Sequence, residues 1–254
     1  MFFYDDGAMI TGMRKRTREV DLYAGKHPVD IPTYSFTDAA RYLGIPVSTL
    51  RSWVLGQRYR TKSGDGFFKP LIELEEQDTA PRLLTFTNLV EAHVLDAVRR
   101  VHNISMNKVR ETLEFVLERY GTRHPLAQLE FQTDGVDLFL QELGTLVATS
   151  AQGQTVMREM LGTYLKRVEW DEEGVAHRLY PFTRESRSPD EPRYVVIDPR
   201  ISFGRPVLAG TGIPVDILVE RFHAGESTAS LADDYSCEVF LIEEALRCAI
   251  SKAA

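Results

Sequence analysis

Much of the fold follows from one stretch, Tyr34-Ser-Phe-Thr-Asp-Ala-Ala-Arg-Tyr-Leu-Gly-Ile-Pro-Val-Ser-Thr-Leu-Arg-Ser-Trp-Val-Leu-Gly-Gln-Arg58. Ser35 with Asp38 three residues later is typical of a helix start, where the serine side chain accepts a backbone N–H and the acid favours the positive helix end. Gly44 suits the left-handed residue that ends such a helix. The stretch predicts two short helices joined by a tight turn.

The second helix of this pair has one apolar and one polar face. Leu50, Trp53 and Val54 recur at helical spacing and are expected to point inward. A polar, cationic helix after a tight turn is typical of a major-groove reader, and an ordinary antiparallel helix pair is the alternative. The residues expected to contact DNA, on this helix and just beyond it, are Ser48, Thr49, Arg51, Ser52, Gln57, Arg58, Arg60 and Lys62.

A basic hairpin is predicted directly after the helix pair. Gly64-Asp65-Gly66 supplies the positive φ angles of a hairpin tip, and Lys62 and Lys69 flank it. Such a hairpin is a candidate wing that touches the DNA backbone or a neighbouring groove; a plain connecting loop is the alternative. Farther on, Asn88 and Glu91 are spaced like a second capping box and predict another helix.

Charge is distributed unevenly along the 254 residues, whose net charge is −7. Residues 1–120 contain 17 Lys and Arg against 16 Asp and Glu, and the remainder contains 13 against 21. DNA binding requires local rather than overall positive charge, which the first half can supply. No apolar run is long enough to span a bilayer, and the N-terminus lacks the features of a secretory signal. Cys237 and Cys248 are expected to be buried thiols in a reducing cytoplasm.

The fold class expected from these patterns is α+β, mainly helical, in several modules. We expect a flexible arm over 1–32, in which Arg14 to Arg18 form a basic cluster, and a winged helix-turn-helix over 33–121. A middle α+β module over 122–182 is expected to contain two hairpins, around Asp134-Gly135 and between Arg167 and Tyr180. Their free edges suggest homodimerisation. A polar, proline-containing linker is expected over 183–192, followed by a domain of three helices and short strands over 193–254.

The first domain resembles the winged helix-turn-helix of MerR-type regulators. The resemblance rests on Ser-x-x-x-Ala-Ala-x-x-Leu-Gly at Ser35 to Gly44, on Ser48-Thr-Leu-Arg-x-Trp53 and on the wing-like hairpin. Pro46 is a departure, because such proteins often place a capping Ser or Thr there. The resemblance implies DNA binding.

The last domain is similar to one that recurs in VapB-like antitoxins. The similarity rests on Ile197-Asp-Pro199, on Gly204-Arg-Pro-Val-Leu-Ala-Gly-Thr-Gly-Ile-Pro-Val215 and on Ala224-Gly-Glu-Ser227. Gly212 stands where the family commonly has arginine. Together the two ends resemble a VapB-type antitoxin, which implies a PIN-like ribonuclease toxin as partner and autoregulatory binding of operator DNA.

The closing helix has features of a protein-binding surface. Its carboxylates outnumber its cations and would repel phosphates, although a second DNA-binding unit is the alternative. The apolar run Val239 to Ile242 is too broad for one core-facing stripe. The residues expected to bind a partner protein are Val239, Phe240, Glu243 and Arg247.

Signs of catalysis or cofactor binding are missing from the sequence. No zinc-like spacing occurs among the histidines, which are His27, His93, His102, His124, His177 and His223. The glycine-rich stretch Gly204 to Gly212 lacks the Lys-Ser/Thr of a phosphate-binding loop. We therefore expect no enzyme, no metal and no cofactor. A type II antitoxin is the first hypothesis; a MerR-like regulator with a small-molecule-sensing middle module and a toxin-related nuclease are the others.

Overall fold

The computed structural model describes residue 23 and residues 25–61, 64–75, 77, 80–101, 105–147, 151–184 and 186–250. The basic cluster Arg14 to Arg18 and Lys62 lie outside the described residues. The elements in chain order are α1 (Phe36–Leu43), α2 (Val47–Leu55), β1 (Gln57–Thr61), β2 (Gly64–Phe68), α3 (Phe86–Arg100), α4 (Met106–Tyr120), α5 (Val136–Val147), α6 (Ala151–Leu165), β3 (Val168–Trp170), β4 (Ala176–Leu179), β5 (Val195–Val196), β6 (Val207–Leu208), α7 (Val215–His223), α8 (Thr228–Asp234) and α9 (Val239–Ile250). Consecutive strands pair as three antiparallel hairpins. The expected α+β, mainly helical class is confirmed.

The first two helices form as their local signals predict. The N–H of Asp38 donates to Ser35 Oγ at 3.0 Å, and Gly44 ends α1 in the left-handed region with φ 62°. The Asp38 carboxylate accepts the Ser35 hydroxyl at 2.7 Å. At the start of α2, Pro46 contributes no side-chain cap, as its departure from the family pattern suggests. The predicted inward residues of α2 are all buried.

Helix α3 is the centre of the N-terminal body. Its N-cap is Thr85, three residues before the predicted cap Asn88, because Thr85 and Asn88 form the capping box through two N–H bonds of 3.1 Å. The side chain of Asn88 also donates to the carbonyl of Glu73 at 2.9 Å. Every residue from 86 to 98 is buried. The helix therefore has no solvent face before its last turn, and its neighbours pack all around it.

The first of the two expected hairpins in residues 122–182 is not present. Phe131–Gly135 is a single π-helical turn that leads directly into α5. Val136, Phe139, Leu140 and Leu143 are buried at helical spacing, so burial of one helix face outweighs the hairpin preference of Asp134-Gly135. The second hairpin is present as β3 and β4.

The core does not divide at residue 122. One apolar cluster extends from Val29 to Phe182 and also includes Ile197, and a second extends from Val195 to Cys248. The described end of the expected arm also packs on the body, since Val29 is buried and its carbonyl accepts the Thr87 hydroxyl at 3.3 Å. Residues 33–121 and 122–182 thus share a single hydrophobic core.

The segment expected to be a linker, 183–192, is fastened to the body by Arg187. Its guanidinium donates to the carbonyls of Leu43 and Gly44 at 3.0 and 2.9 Å, at the C-terminal end of α1. It also donates to the Tyr164 hydroxyl at 2.7 Å and pairs with Asp96. The side chain of Arg187 is 8% exposed and that of Asp96 is fully buried. Composition suggested a spacer here, but a buried ion pair holds this segment in place.

A second arginine, Arg167, joins the two ends of the same segment by hydrogen bonds. Arg167 donates to the carbonyl of Tyr180 at 2.6 Å, before the segment, and to those of Glu191 and Pro192 at 2.8 and 3.2 Å. Burial lowers the pKa of Arg167 to about 10. Beyond the segment, Ile197 exchanges two backbone bonds with Leu179, of 3.0 and 2.8 Å. Residues from 193 onward are therefore connected to β4 by hydrogen bonds as well as by the chain.

The buried His93 predicts an acid sensitivity. Its Nε2 lies 3.0 Å from the carbonyl of Tyr164, and burial lowers its pKa to about 3 from 6.5. Because the unfolded chain binds a proton near pH 6.5 and the folded one does not, this histidine contributes stability that is lost as pH falls below 6.5. The contribution changes by at most about 1.4 kcal/mol per pH unit. Denaturant unfolding at pH 7 and pH 5 should show a smaller loss for His93→Gln, which retains a donor; an equal loss would contradict the assignment.

Candidate nucleic-acid interface

The exposed side of α2 is where the structure gathers most of the residues expected to bind DNA. Ser48 and Arg51 are exposed, and Thr49 and Ser52 are half-buried. The last residues of α2 and the first of β1 continue this surface, so that it forms a shallow concavity of about 520 Å³. Its lining is Ser48, Thr49, Arg51, Ser52, Leu55, Gly56 and Gln57. One continuous surface thus contains five of the eight expected residues, and Arg58 and Arg60 follow it as exposed residues of β1.

Two arginines on this surface have no ion-pair partner in the described part of the chain. The Arg51 guanidinium lies 5.5 Å from the centre of the Phe36 ring. Among the described residues, no carboxylate lies within ion-pair distance of it. Arg58 is exposed on β1. Arg60, in contrast, lies 3.6 Å from Asp65. Arg51 and Arg58 are therefore the cations best placed to meet phosphates or guanine edges.

The wing is anchored through one of its two faces. Register pairs Tyr59 with Gly66 and Gln57 with Phe68, so these four residues share one face. On it, the Tyr59 and Phe68 rings stack with centres 4.0 Å apart, and Arg110 of α4 lies 5.0 Å from the Phe68 ring centre. The N–H groups after the wing also return to α2, because those of residues 71 and 72 donate to the Trp53 carbonyl at 2.6 and 3.1 Å. The predicted hairpin is present and its base is tied to α2, but its tip is not at Gly64-Asp65-Gly66. These three residues belong to β2 and pair with Thr61, Arg60 and Tyr59, because the ladder extends further than the glycines suggested. The role of the hairpin as a wing stays a prediction.

Two exposed apolar residues of this surface are not among the residues that the sequence predicted to bind DNA. Leu55 is 40% exposed and Phe67 is 54% exposed. Each has a sequence signal: Leu55 falls next to, not on, the inward stripe of α2, and Phe67-Phe68 are consecutive strand residues that must point to opposite faces. The outward face of the wing thus presents Phe67 directly across from Arg58.

The residues expected to bind a partner protein form a stripe on α9. Val239 and Phe240 are 39% and 47% exposed, and Glu243 and Arg247 follow at helical spacing as exposed residues. The Phe240 ring is held edge-on against Tyr194, with ring centres 5.5 Å apart. Glu244 faces inward and is paired with Arg184 at 3.2 Å. The outer surface of α9 is therefore apolar at its start and charged toward its end.

The described residues contain no group of three or more His, Cys, Asp or Glu side chains that could hold a metal ion. Cys237 is half-buried and Cys248 is buried. No helix in the described ranges combines the length and apolar character needed to cross a membrane.

Similarities to known proteins agree with this geometry. Residues 32–113 match the family "Putative DNA-binding HTH domain", which includes α1, α2 and the wing. Residues 195–249 match "Protein of unknown function (DUF433)". The Mycobacterium tuberculosis protein "Putative antitoxin VapB45" is 28% identical over 237 residues, 85% of this chain and 93% of that protein. The chain resembles a VapB antitoxin over most of its length.

Two further proteins of Mycobacterium tuberculosis share this layout. "Uncharacterized protein Rv2308" is 23% identical over 227 residues, 86% of this chain and 90% of that protein. The crystal structure of Rv2018 superimposes with a TM-score of 0.65 at 25% identity, and the match includes 85% of this chain and 98% of that one. The expected resemblance to a VapB-type antitoxin is confirmed by the match to the putative antitoxin VapB45 and by the two family matches.

Proposed function

We propose that the protein is the antitoxin of a type II toxin–antitoxin pair, which binds operator DNA and neutralises a PIN-like ribonuclease toxin. The observation that carries this proposal is a pair of exposed surfaces of different character on different domains. Arginines without a carboxylate partner among the described residues lie on α2 and the wing, and the exposed stripe on α9 is apolar at its start and charged toward its end. The first suits a phosphate backbone and base edges, and the second suits a protein. Both activities take place in the cytoplasm and neither requires a catalytic step.

For DNA binding, α2 enters the major groove, the base of the wing follows it at the edge of the same groove, and the wing continues along the neighbouring backbone. Proteins of this architecture act as symmetric dimers on paired half-sites, and we infer a homodimer. The hairpin edges that suggested an interface within residues 122–182 are less available than expected. The Asp134-Gly135 hairpin is absent, and Leu179 of β4 is bonded to Ile197. The outer edge of β4 is therefore partly occupied within the chain itself.

For toxin binding, Phe240 is the central contact. Aromatic residues dominate the energetics of protein interfaces when they enter a partner's pocket, and Phe240 is already oriented by Tyr194. Glu243 and Arg247 would form the polar rim. On its inner side, α9 is joined to residues 183–192 by the Arg184–Glu244 ion pair.

The test is co-expression with the product of the neighbouring gene. A stoichiometric complex with a small PIN-like protein, whose toxicity it suppresses, is the expected result. Phe240→Ala should raise the dissociation constant at least about tenfold, since interface aromatics contribute about 2 kcal/mol or more. Operator affinity should not change. Phe115→Ala, which removes another exposed phenylalanine (39%) from α4, is the control and should leave the complex intact. Equal effects of the two substitutions would contradict the α9 assignment.

A ligand-responsive MerR-like regulator is the second candidate, because one cavity favours it. The cavity has a volume of about 360 Å³, within the size range of small-molecule sites, and lies between α1 and the C-terminal domain. Its lining includes Arg41, Tyr42, Val219, His223 and Cys248. It lies outside the middle module, apart from Pro181. Absence of any co-purifying toxin, together with an operator affinity that responds to a small molecule, would favour this function over the first.

A further inference from the structure

Two exposed apolar side chains lie within the cationic surface that α2 and the wing form. Leu55 ends α2 and Phe67 stands on the outward face of the wing, and the two flank Gly56. Leu55 is 40% exposed and Phe67 is 54% exposed. We call Leu55 and Phe67 the junction patch. Exposed apolar side chains favour binding only when an apolar group of the partner removes them from water. Their presence in a binding surface therefore indicates an apolar group on the partner.

The surroundings of the junction patch favour DNA over protein as its partner. Arg58 lies directly across from Phe67 in the hairpin register, and Arg51 is one turn before Leu55 on α2. Neither arginine has a carboxylate partner in the described ranges, whereas Asp65 is turned to Arg60 at 3.6 Å. A surface bordered by uncompensated cations attracts a polyanion.

Only one base substituent in the major groove is apolar, the C5-methyl group of thymine. We propose that Leu55 and Phe67 bind thymine methyl groups and so give the protein a thymine preference at the end of each half-site. This inference rests on the proposed function, since it requires α2 to lie in the major groove. It adds an apolar, base-specific contact to a surface otherwise made of charged and hydrogen-bonding groups.

The Phe67 ring of the junction patch is positioned by its neighbours in the absence of DNA. Gly56 has φ 75°, and a Cβ at this position would collide with Cζ of the Phe67 ring. The absence of a side chain thus lets the Phe67 ring lie directly against the backbone that joins α2 to β1. The stacked Tyr59 and Phe68 rings fix the opposite face of the wing at the same time. Binding therefore orders few new side chains, which favours discrimination by a single methyl group.

The test compares two versions of the same DNA, the duplex upstream of the protein's own gene made with either thymine or uracil. Uracil lacks only the methyl group. The wild-type protein should bind the thymine duplex about three- to fivefold more tightly for each methyl contacted. Leu55→Ala and Phe67→Ala should reduce this thymine-to-uracil ratio toward one, while Phe67→Leu, which remains apolar, should retain most of it.

The ratio separates contact from folding. A variant with a disturbed wing binds both duplexes more weakly and leaves the ratio unchanged, so a preserved ratio in Leu55→Ala and Phe67→Ala overturns the proposal. Phe222→Ala, which truncates an exposed ring of α7, is the matched control and should keep the wild-type ratio. A wild-type ratio of one with specific binding intact also overturns the proposal but leaves the DNA-binding function standing. No specific binding to either duplex would contradict the proposed function itself.

Discussion

Replacing Arg187 by alanine is expected to lower the free energy of unfolding by about 3 kcal/mol, since loss of one partner of a buried ion pair leaves the charge of the other less well compensated. Asp96 retains Arg99 and Arg100, at 3.0 and 2.9 Å, which keeps the loss at the lower end of such effects. Burial acts to raise the pKa of Asp96, but Arg187 and Arg100 outweigh it and hold that pKa below its usual value. The variant also leaves the carbonyls of Leu43 and Gly44 without their donor.

Denaturant titration gives the magnitude, with Arg184→Ala as the matched control from the same segment. Arg184 is a half-exposed arginine whose partner, Glu244, also has Arg247 at 3.5 Å. Its removal should change the free energy of unfolding by no more than about 1 kcal/mol. Hydrogen exchange should accelerate at the end of α1 only in the Arg187 variant. Similar losses in both proteins would show that Arg187 is not the residue that fastens the segment.

The double substitution Arg51→Ala and Arg58→Ala should weaken operator binding by about tenfold to a few hundredfold at moderate salt, because each cation that meets a phosphate or a base edge contributes about 1 kcal/mol or more. The physical reason is that both arginines are exposed on the reading surface without a carboxylate partner in the described ranges. The dependence of log affinity on log salt should also become shallower, by about one unit for each phosphate that the variant no longer neutralises.

A control of equal charge makes this measurement decisive. Arg119→Ala with Arg158→Ala removes two cations from outside the reading surface, at the end of α4 and on α6. Binding that depended only on net charge would fall equally in both variants. An unchanged affinity and salt dependence for the Arg51 and Arg58 variant would contradict the assignment of α2 as the reading helix.

The parts of the fold that were predictable from sequence are those with local causes. Ser35 and Gly44 act within their own helix, and the inward face of α2 requires only its own spacing. The Asp134-Gly135 signal is also local, but it was misleading. Val136, Phe139 and Leu140 fit a helix as well as a strand, and packing against the shared core decided between the two. Alternation over a short apolar run cannot make that choice.

The candidate DNA-binding site was predictable in its polar part only. The cations and hydroxyls of α2 follow from the helix-turn-helix pattern. The exposure of Leu55 and Phe67 depends instead on the direction in which the hairpin leaves the end of α2. The fastening of residues 183–192 is a longer-range effect still. Arg187 reaches residues more than 140 positions earlier in the chain, and nothing in its polar, proline-containing neighbourhood distinguishes it from a solvated arginine.

The contacts of Arg187, Arg167 and Ile197 determine how the chain can be divided into fragments. A fragment that begins at residue 193 would expose the Ile197 backbone groups bonded to Leu179, and a fragment that ends at 182 would leave Asp96 without Arg187. Inserting flexible residues between 183 and 192 would likewise pull Arg187 away from the end of α1. Truncation within residues 183–192 therefore disrupts packed structure. Operator binding and toxin binding are better separated by point substitutions than by fragments.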